Sequence, residues 1–145
     1  MKGNPKIVDA LNKALELEIG AILQYLHHHW TGEGLESPEI LELFEKTSID
    51  EMKHAERLAS RINFLEGDPS VKPAPIKKGG DLRKMMTDDL EAEYDAIAYY
   101  KSVIKLADEL GDSTTRLMME EITAQEEEHA DTWETILQKR GKKLP

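Results

Sequence analysis

The chain contains no cysteine. Disulfide staples, thiolate-held zinc, cysteine nucleophiles and Cys-ligated iron–sulfur clusters are therefore excluded, which leaves oxygen and imidazole as the strong metal ligands. Aromatic side chains are scarce, at 6%. No uninterrupted apolar run reaches the length needed to cross a membrane, and the opening MKGNPKIVDALNKALELEIGA lacks the unbroken apolar core of a signal peptide. Positive charge is also short, with 19 basic against 29 acidic side chains and a formal charge of −10. Such a field repels nucleic acid and anionic lipid and attracts cations. The expectation is a cytoplasmic protein with neither nucleic acid nor a membrane as partner.

What is present is helical. Over 145 residues, the size of one domain, Ile7, Leu11, Leu15, Ile22 and Leu26 recur at helical spacing between Lys6 and about Trp30. TGEGLESP at 31–38 breaks the pattern, and Ser37 before Pro38 is the expected cap of a second helix running to about Leu65. The segment EGDPSVKPAPIKKGGD at 66–81 holds three of the six prolines and three glycines, so it reads as a long crossover rather than a tight hairpin. A third helix follows Asp81 to about Leu110, and GDSTTR turns into a fourth, capped by Asp112 or Ser113 and ending near Lys139. The predicted fold is all-α, an antiparallel four-helix bundle with one long crossover between the second and third helices. Either hairpin alone would expose an apolar stripe, so residues 1–145 are read as a single domain with one joint core.

The chemistry lies in a repeat. EMKH at 51–54 and EEEH at 126–129 each place a glutamate three residues before a histidine, and 126 − 51 and 129 − 54 both give 75. The same offset aligns EIGAILQY at 18–25 with EYDAIAYY at 93–100, matching Glu18 with Glu93 and Tyr25 with Tyr100. Helices one and three thus supply one glutamate each, and helices two and four one Glu-x-x-His each. Residues three apart share a helix face, so Glu51 with His54 and Glu126 with His129 point inward together. Four carboxylates neutralise the four positive charges of two divalent ions, with an imidazole to complete each ion. Glu51 and Glu126 are the natural bridges, and Glu18 and Glu93 the terminal carboxylates.

Each member has a plainer reading alone, a solvated helix glutamate or histidine. Six residues obeying one offset favour the dinuclear site. Tyr25 and Tyr100, two turns beyond Glu18 and Glu93, are read either as core, as hydrogen-bond partners of carboxylates behind the ligands, or as groups acting near a transient oxidant. Trp133 is read as core or interface. His27, His28 and His29 point in three directions near a helix end and have no partner at the offset, so they are expected at a surface or interface.

With the ligands placed, LNKALELEIGAILQY, SIDEMKHAER, FLEG, DLEAEYDA and EEEHADTWE resemble the bacterioferritin family of the ferritin-like superfamily over most of the chain. The family's di-iron ligands fall on Glu18, Glu51, His54, Glu93, Glu126 and His129. The resemblance implies a ferroxidase that binds two Fe per chain and oxidises Fe(II) to Fe(III) with oxygen or hydrogen peroxide, in iron storage or detoxification. It also implies haem b shared between two chains, with Met52 as the iron ligand and Ile19, Ile22, Leu23, Leu26 and Ile49 as apolar walls. An inner-surface iron site would need a histidine where Lys46 stands, although Asp50 is kept. Family cages place a fifth helix at the four-fold axes, whereas this sequence stops at KRGKKLP. The expectation is a short member without that helix, a homo-dimer or larger homo-oligomer, with a 24-subunit cage left open.

Two other functions fit parts of the pattern. One is a haem-binding electron-transfer or iron-delivery module, the other a metal-stabilised structural protein without turnover. Manganese or a mixed Mn/Fe pair suits the same ligands.

Overall fold

A computed structural model describes residues 1–141 and 143–145, and among them four α-helices account for all regular structure. They are α1 (Pro5–Thr31), α2 (Ser37–Phe64), α3 (Leu82–Glu109) and α4 (Ser113–Leu137). Three starts carry a side-chain cap, from Asn4 to Lys6 N, Asp81 to Lys84 N and Asp112 to Thr115 N. The second start corrects the expectation for Ser37. The Ser37 N–H is already bonded to Gly34 O, so Glu36 takes the cap position without a side-chain bond and Ser37 lies inside α2.

The hairpins α1–α2 and α3–α4 are joined chiefly by α1 against α3, while α2 and α4 touch much less. Chain direction follows from the bonds. Gly3 N donates to Leu65 O, so α2 ends where α1 begins, whereas the Tyr99 hydroxyl donates to Ala10 O, so α3 runs antiparallel to α1. The crossover must therefore travel the whole length of the bundle. It does so along α1, bonded through Ser70 N to Asn12 Oδ1, Ala74 N to Glu16 O and Lys77 N to Gln24 Oε1. At Gly20 the backbones approach so closely that an added Cβ would meet Ala74 O at 2.8 Å.

Apolar packing forms two clusters. One is built around Leu11, Leu15, Leu58, Ile62, Met119 and Ile122 at the α1 start, the other around Ile40, Phe44, Met85, Leu90, Ile97 and Trp133 at its end. Between them lies a layer of buried charge. No helix among the described residues is long and apolar enough to cross a membrane.

Candidate metal centre

Glu18, Glu51, His54, Glu93 and Glu126 are each at most 3% exposed, and the His129 side chain is 10% exposed. Each helix contributes to this layer because the apolar stripe that turns Leu15, Leu58, Leu90 and Ile122 inward carries the neighbouring carboxylates with it. Ligand-capable atoms form two groups, each within 4.8 Å: Glu18, Glu51, His54 and Glu126, and then Glu51, Glu93, Glu126 and His129. Glu51 and Glu126 belong to both.

The contacts cross between the halves. His54 Nδ1 lies 2.7 Å from Glu126 Oε1, and His129 Nδ1 lies 2.8 Å from Glu51 Oε1. The Tyr25 hydroxyl donates to Glu93 Oε1 and the Tyr100 hydroxyl to Glu18 Oε1, both at 2.6 Å. Each tyrosine therefore fixes one oxygen of the opposite half's carboxylate. The histidine–glutamate pairs are close without being aligned as hydrogen bonds: Glu18 Oε2, Glu51 Oε1, His54 Nδ1, Glu126 Oε1 and His129 Nδ1 are all buried without a hydrogen-bond partner. Five orphaned polar atoms converging on one point are costly unless something occupies it.

Electrostatics agree. Burial, with Glu126 beside it, pushes Glu51 well above the usual carboxylate range, and burial with Glu18 does the same to Glu126. Burial would also raise Glu18, but contacts from Glu51, His54 and Tyr100 outweigh it and hold Glu18 low. Burial works against a charged imidazole at His54, yet Glu126 and Glu18 overcome it and push His54 up to about 10. His129 is raised likewise by Glu126, Glu51 and Glu93. Burial and the adjacent carboxylates hold both Tyr25 and Tyr100 well above the usual phenol range, so the hydroxyls remain donors. In a metal-free bundle, protons shared among carboxylates and imidazoles take the place of cations.

A cavity of about 140 Å³ reaches from Glu51, Glu93 and Glu126 past Tyr25 to Ala74 and Lys77 of the crossover. It links the charged layer with the strap along α1.

Three contacts were not read from the sequence. Gln125 Oε1 accepts from His54 Nε2, and His129 Nε2 lies 3.1 Å from Asp50 Oδ2. Trp133 is fully buried and its Nε1–H donates to the Tyr25 oxygen at 2.8 Å. The histidine run needs correction: His28 is fully buried, with Nδ1 2.9 Å from Asp89 Oδ2 and Nε2 3.0 Å from Lys77 O. Gln24 Nε2 donates to Asp89 Oδ1, so this network clamps the crossover to α1 and α3. Of three consecutive helical residues one had to face the strap. His29 is half-buried against Leu41 O and Glu45, and His27 is half-buried.

Fold and site together define a four-helix bundle built around a buried carboxylate–histidine cluster able to hold metal ions. The ferritin-like domain family matches residues 8–141. The chain is 38% identical to a bacterioferritin of Brucella melitensis over 94% of its own length and 86% of the relative's. It is 37% identical to a bacterioferritin of Mycobacterium leprae, over 97% and 89%. A solved structure of Rhodobacter capsulatus bacterioferritin, described as having a metal-free dinuclear site and a haem iron in a crystallographic special position, superposes with TM-score 0.88 at 34% identity, covering 95% of this chain and 87% of that one. The chain belongs to the bacterioferritin family.

Proposed function

We propose that the chain is a bacterioferritin-type ferroxidase that takes two Fe(II) between its helices and oxidises them in iron storage or detoxification. The observation that carries this is the convergence of five orphaned, buried ligand atoms from α1, α2 and α4, with Glu93 of α3 in the same cluster. Glu18 and His54 would hold one ion, Glu93 and His129 the other, and Glu51 and Glu126 would bridge them. The donor set fits, because four carboxylates balance two divalent cations and hard oxygen ligands favour the oxidised state. Two Fe(II) supply two electrons, which with two protons reduce O2 to H2O2 or split H2O2 into two waters.

The protein's own part is positional. His54 and His129 would each offer a deprotonated Nδ1 to an ion, while the Nε2 side is held by Gln125 or Asp50. Tyr25 and Tyr100 hold the second oxygen of each terminal carboxylate, which orients the free oxygen toward the shared space. Apolar clusters on both sides exclude bulk water, so these interactions act at low dielectric. The acidic layer makes the interior attractive to cations rather than to anionic ligands.

The test is anaerobic metal loading followed by oxidant. The expected result is two equivalents per chain and fast Fe(II) oxidation, with oxidation lost in Glu18→Ala and His54→Ala. Oxidation proceeding unchanged in both variants would sink the ferroxidase reading.

Haem b between two copies of this chain is the second part of the proposal. Met52 is 46% exposed on α2, next to Ile49 at 42%, and Leu23 on α1 is 39% exposed. The Ser48 hydroxyl bonded to Ile22 O sets α1 and α2 in register there, so these side chains share one outer face. A thioether on an apolar face suits a low-charge planar macrocycle. Such a haem would join a homo-dimer within a larger homo-oligomer, and the acidic, non-spanning helices agree with a cytoplasmic setting. One haem per two chains is expected, and full occupancy retained in Met52→Leu would overturn the ligand.

A further inference from the structure

The internal repeat is faithful where it touches the ions' space and breaks one layer behind it. Asp50 and Gln125 stand at equivalent positions, one residue before Glu51 and Glu126 and separated by the same 75 (125 − 50). Each reaches across to the histidine of the other half. Asp50 Oδ2 lies 3.1 Å from His129 Nε2, and Gln125 Oε1 accepts from His54 Nε2. In both cases the contact is to the ring nitrogen facing away from the carboxylate layer, leaving Nδ1 without a hydrogen-bond partner.

We infer that Asp50 and Gln125 are positioning residues that make the two metal positions unequal, the Glu93/His129 position binding a divalent cation more tightly than the Glu18/His54 position. This rests on reading the six residues as a dinuclear site. Both partners hold Nε2 protonated and so commit Nδ1 to the metal, but they do it with different force. A carboxylate pulls on the imidazole N–H more strongly than a neutral amide, and the ring it backs becomes the better donor. Asp50 also adds a fifth negative charge beside His129, whereas Gln125, the equivalent partner of His54, is neutral. Solvent trims this contrast, since the Asp50 side chain is 36% exposed, yet His129 itself is only 10% exposed and the hydrogen bond is formed.

The experiment is a stepwise anaerobic titration of the metal-free protein with Co(II), a redox-inert probe here, followed by visible absorption and calorimetry. Two steps are expected, separated by about tenfold in affinity, the lower end of what an outer-shell partner contributes. His129→Ala should remove the tight step and His54→Ala the weak one. Gln125→Glu should strengthen the weak step, and Asp50→Asn should weaken the tight one, so each closes the gap from opposite sides. Gln125 is exposed, which makes its replacement compatible with folding, and circular dichroism of each metal-free variant checks this. Two equal steps in the unaltered protein, or a gap unmoved by both substitutions, would overturn the inference while leaving the dinuclear reading standing. Failure to take up two Co(II) at all would overturn both.

Discussion

The two hairpins, α1–α2 and α3–α4, solve one problem twice and then diverge. Glu18 matches Glu93, Tyr25 matches Tyr100, and the Glu-x-x-His pairs match each other, with contacts that exchange between halves. Core positions repeat as well: Leu15 with Leu90 and Ile62 with Leu137, both at the same offset. At other positions outside the charged layer the correspondence fails. Leu58 is matched by Trp133, Ala14 by Asp89, Met52 by Glu127 and Asp50 by Gln125. A site for two adjacent cations, as proposed, would impose near two-fold symmetry on the residues that meet them, but would impose none on what supports those residues.

The strongest way to break the symmetry is to remove a residue that both positions share. Glu51→Ala or Glu126→Ala takes an oxygen from both groups of ligand atoms at once. The expected outcome is loss of both equivalents in metal titration and a fall in Fe(II) oxidation of about 100-fold or more. Glu18→Ala, by contrast, touches one group only, and should leave one equivalent bound. Equal stoichiometry in the Glu51 and Glu18 variants would remove the distinction between shared and terminal carboxylates.

Next in size is the pH response of the metal-free protein. Folded Glu51 and Glu126 titrate above their ordinary 4.5, and folded His54 is pushed to about 10 from 6.5. The folded state therefore holds protons that the unfolded chain has released, and this stabilisation is complete at low pH and is lost as pH rises. The imidazole part disappears between about pH 6.5 and 10. Thermal unfolding should show a falling midpoint across that window, and divalent metal should reverse the trend, because deprotonated ligands bind it better. A metal-free midpoint that rises between pH 6.5 and 10 would contradict the reading.

Leu58 and Trp133 compare the two apolar clusters directly, since they are equivalent in the repeat and both fully buried. Leu58→Ala is expected to cost about 2–5 kcal/mol by transfer and cavity terms, and Trp133→Ala about 3–5. Trp133→Ala should also loosen Tyr25, which loses the Nε1–H donor and one stacked ring, while Phe44 loses its own contact with the indole. Denaturant unfolding of both variants measures the gap.

How much was readable beforehand follows the same division. The six site glutamates and histidines share one offset, so duplication itself marks them, and the long crossover was announced by its prolines and glycines. His28 was misplaced for the converse reason. Its partner Asp89 stands where the other half has Ala14, and the contact depends on how an irregular strap lies along α1. Ser37 failed as a cap because Gly34 O captured its N–H and moved the helix start back. Gln125 could have been found: it stands opposite Asp50 at the offset already in use, but an exposed glutamine carries no metal-ligand signature of its own. Periodicity reveals what a helix buries, whereas contacts between helices depend on a register that only packing sets.

The finest comparison uses the tyrosines. Both hydroxyls donate to a carboxylate at 2.6 Å, but only the Tyr25 oxygen also accepts, from Trp133. Tyr100→Phe removes one donor from Glu18 and leaves no buried N–H behind. Tyr25→Phe removes the corresponding donor from Glu93 and additionally strands the Trp133 Nε1–H in an apolar cluster. The desolvation cost of that stranded group is about 1–3 kcal/mol, so Tyr25→Phe should be the more destabilising by roughly that amount. Metal should not erase the difference, because the stranded indole lies away from the ions. If the two variants unfold alike, Trp133 has found another acceptor or the tyrosine–tryptophan bond contributes nothing. In the double variant Tyr25→Phe/Trp133→Phe the excess should vanish, since donor and acceptor are then removed together.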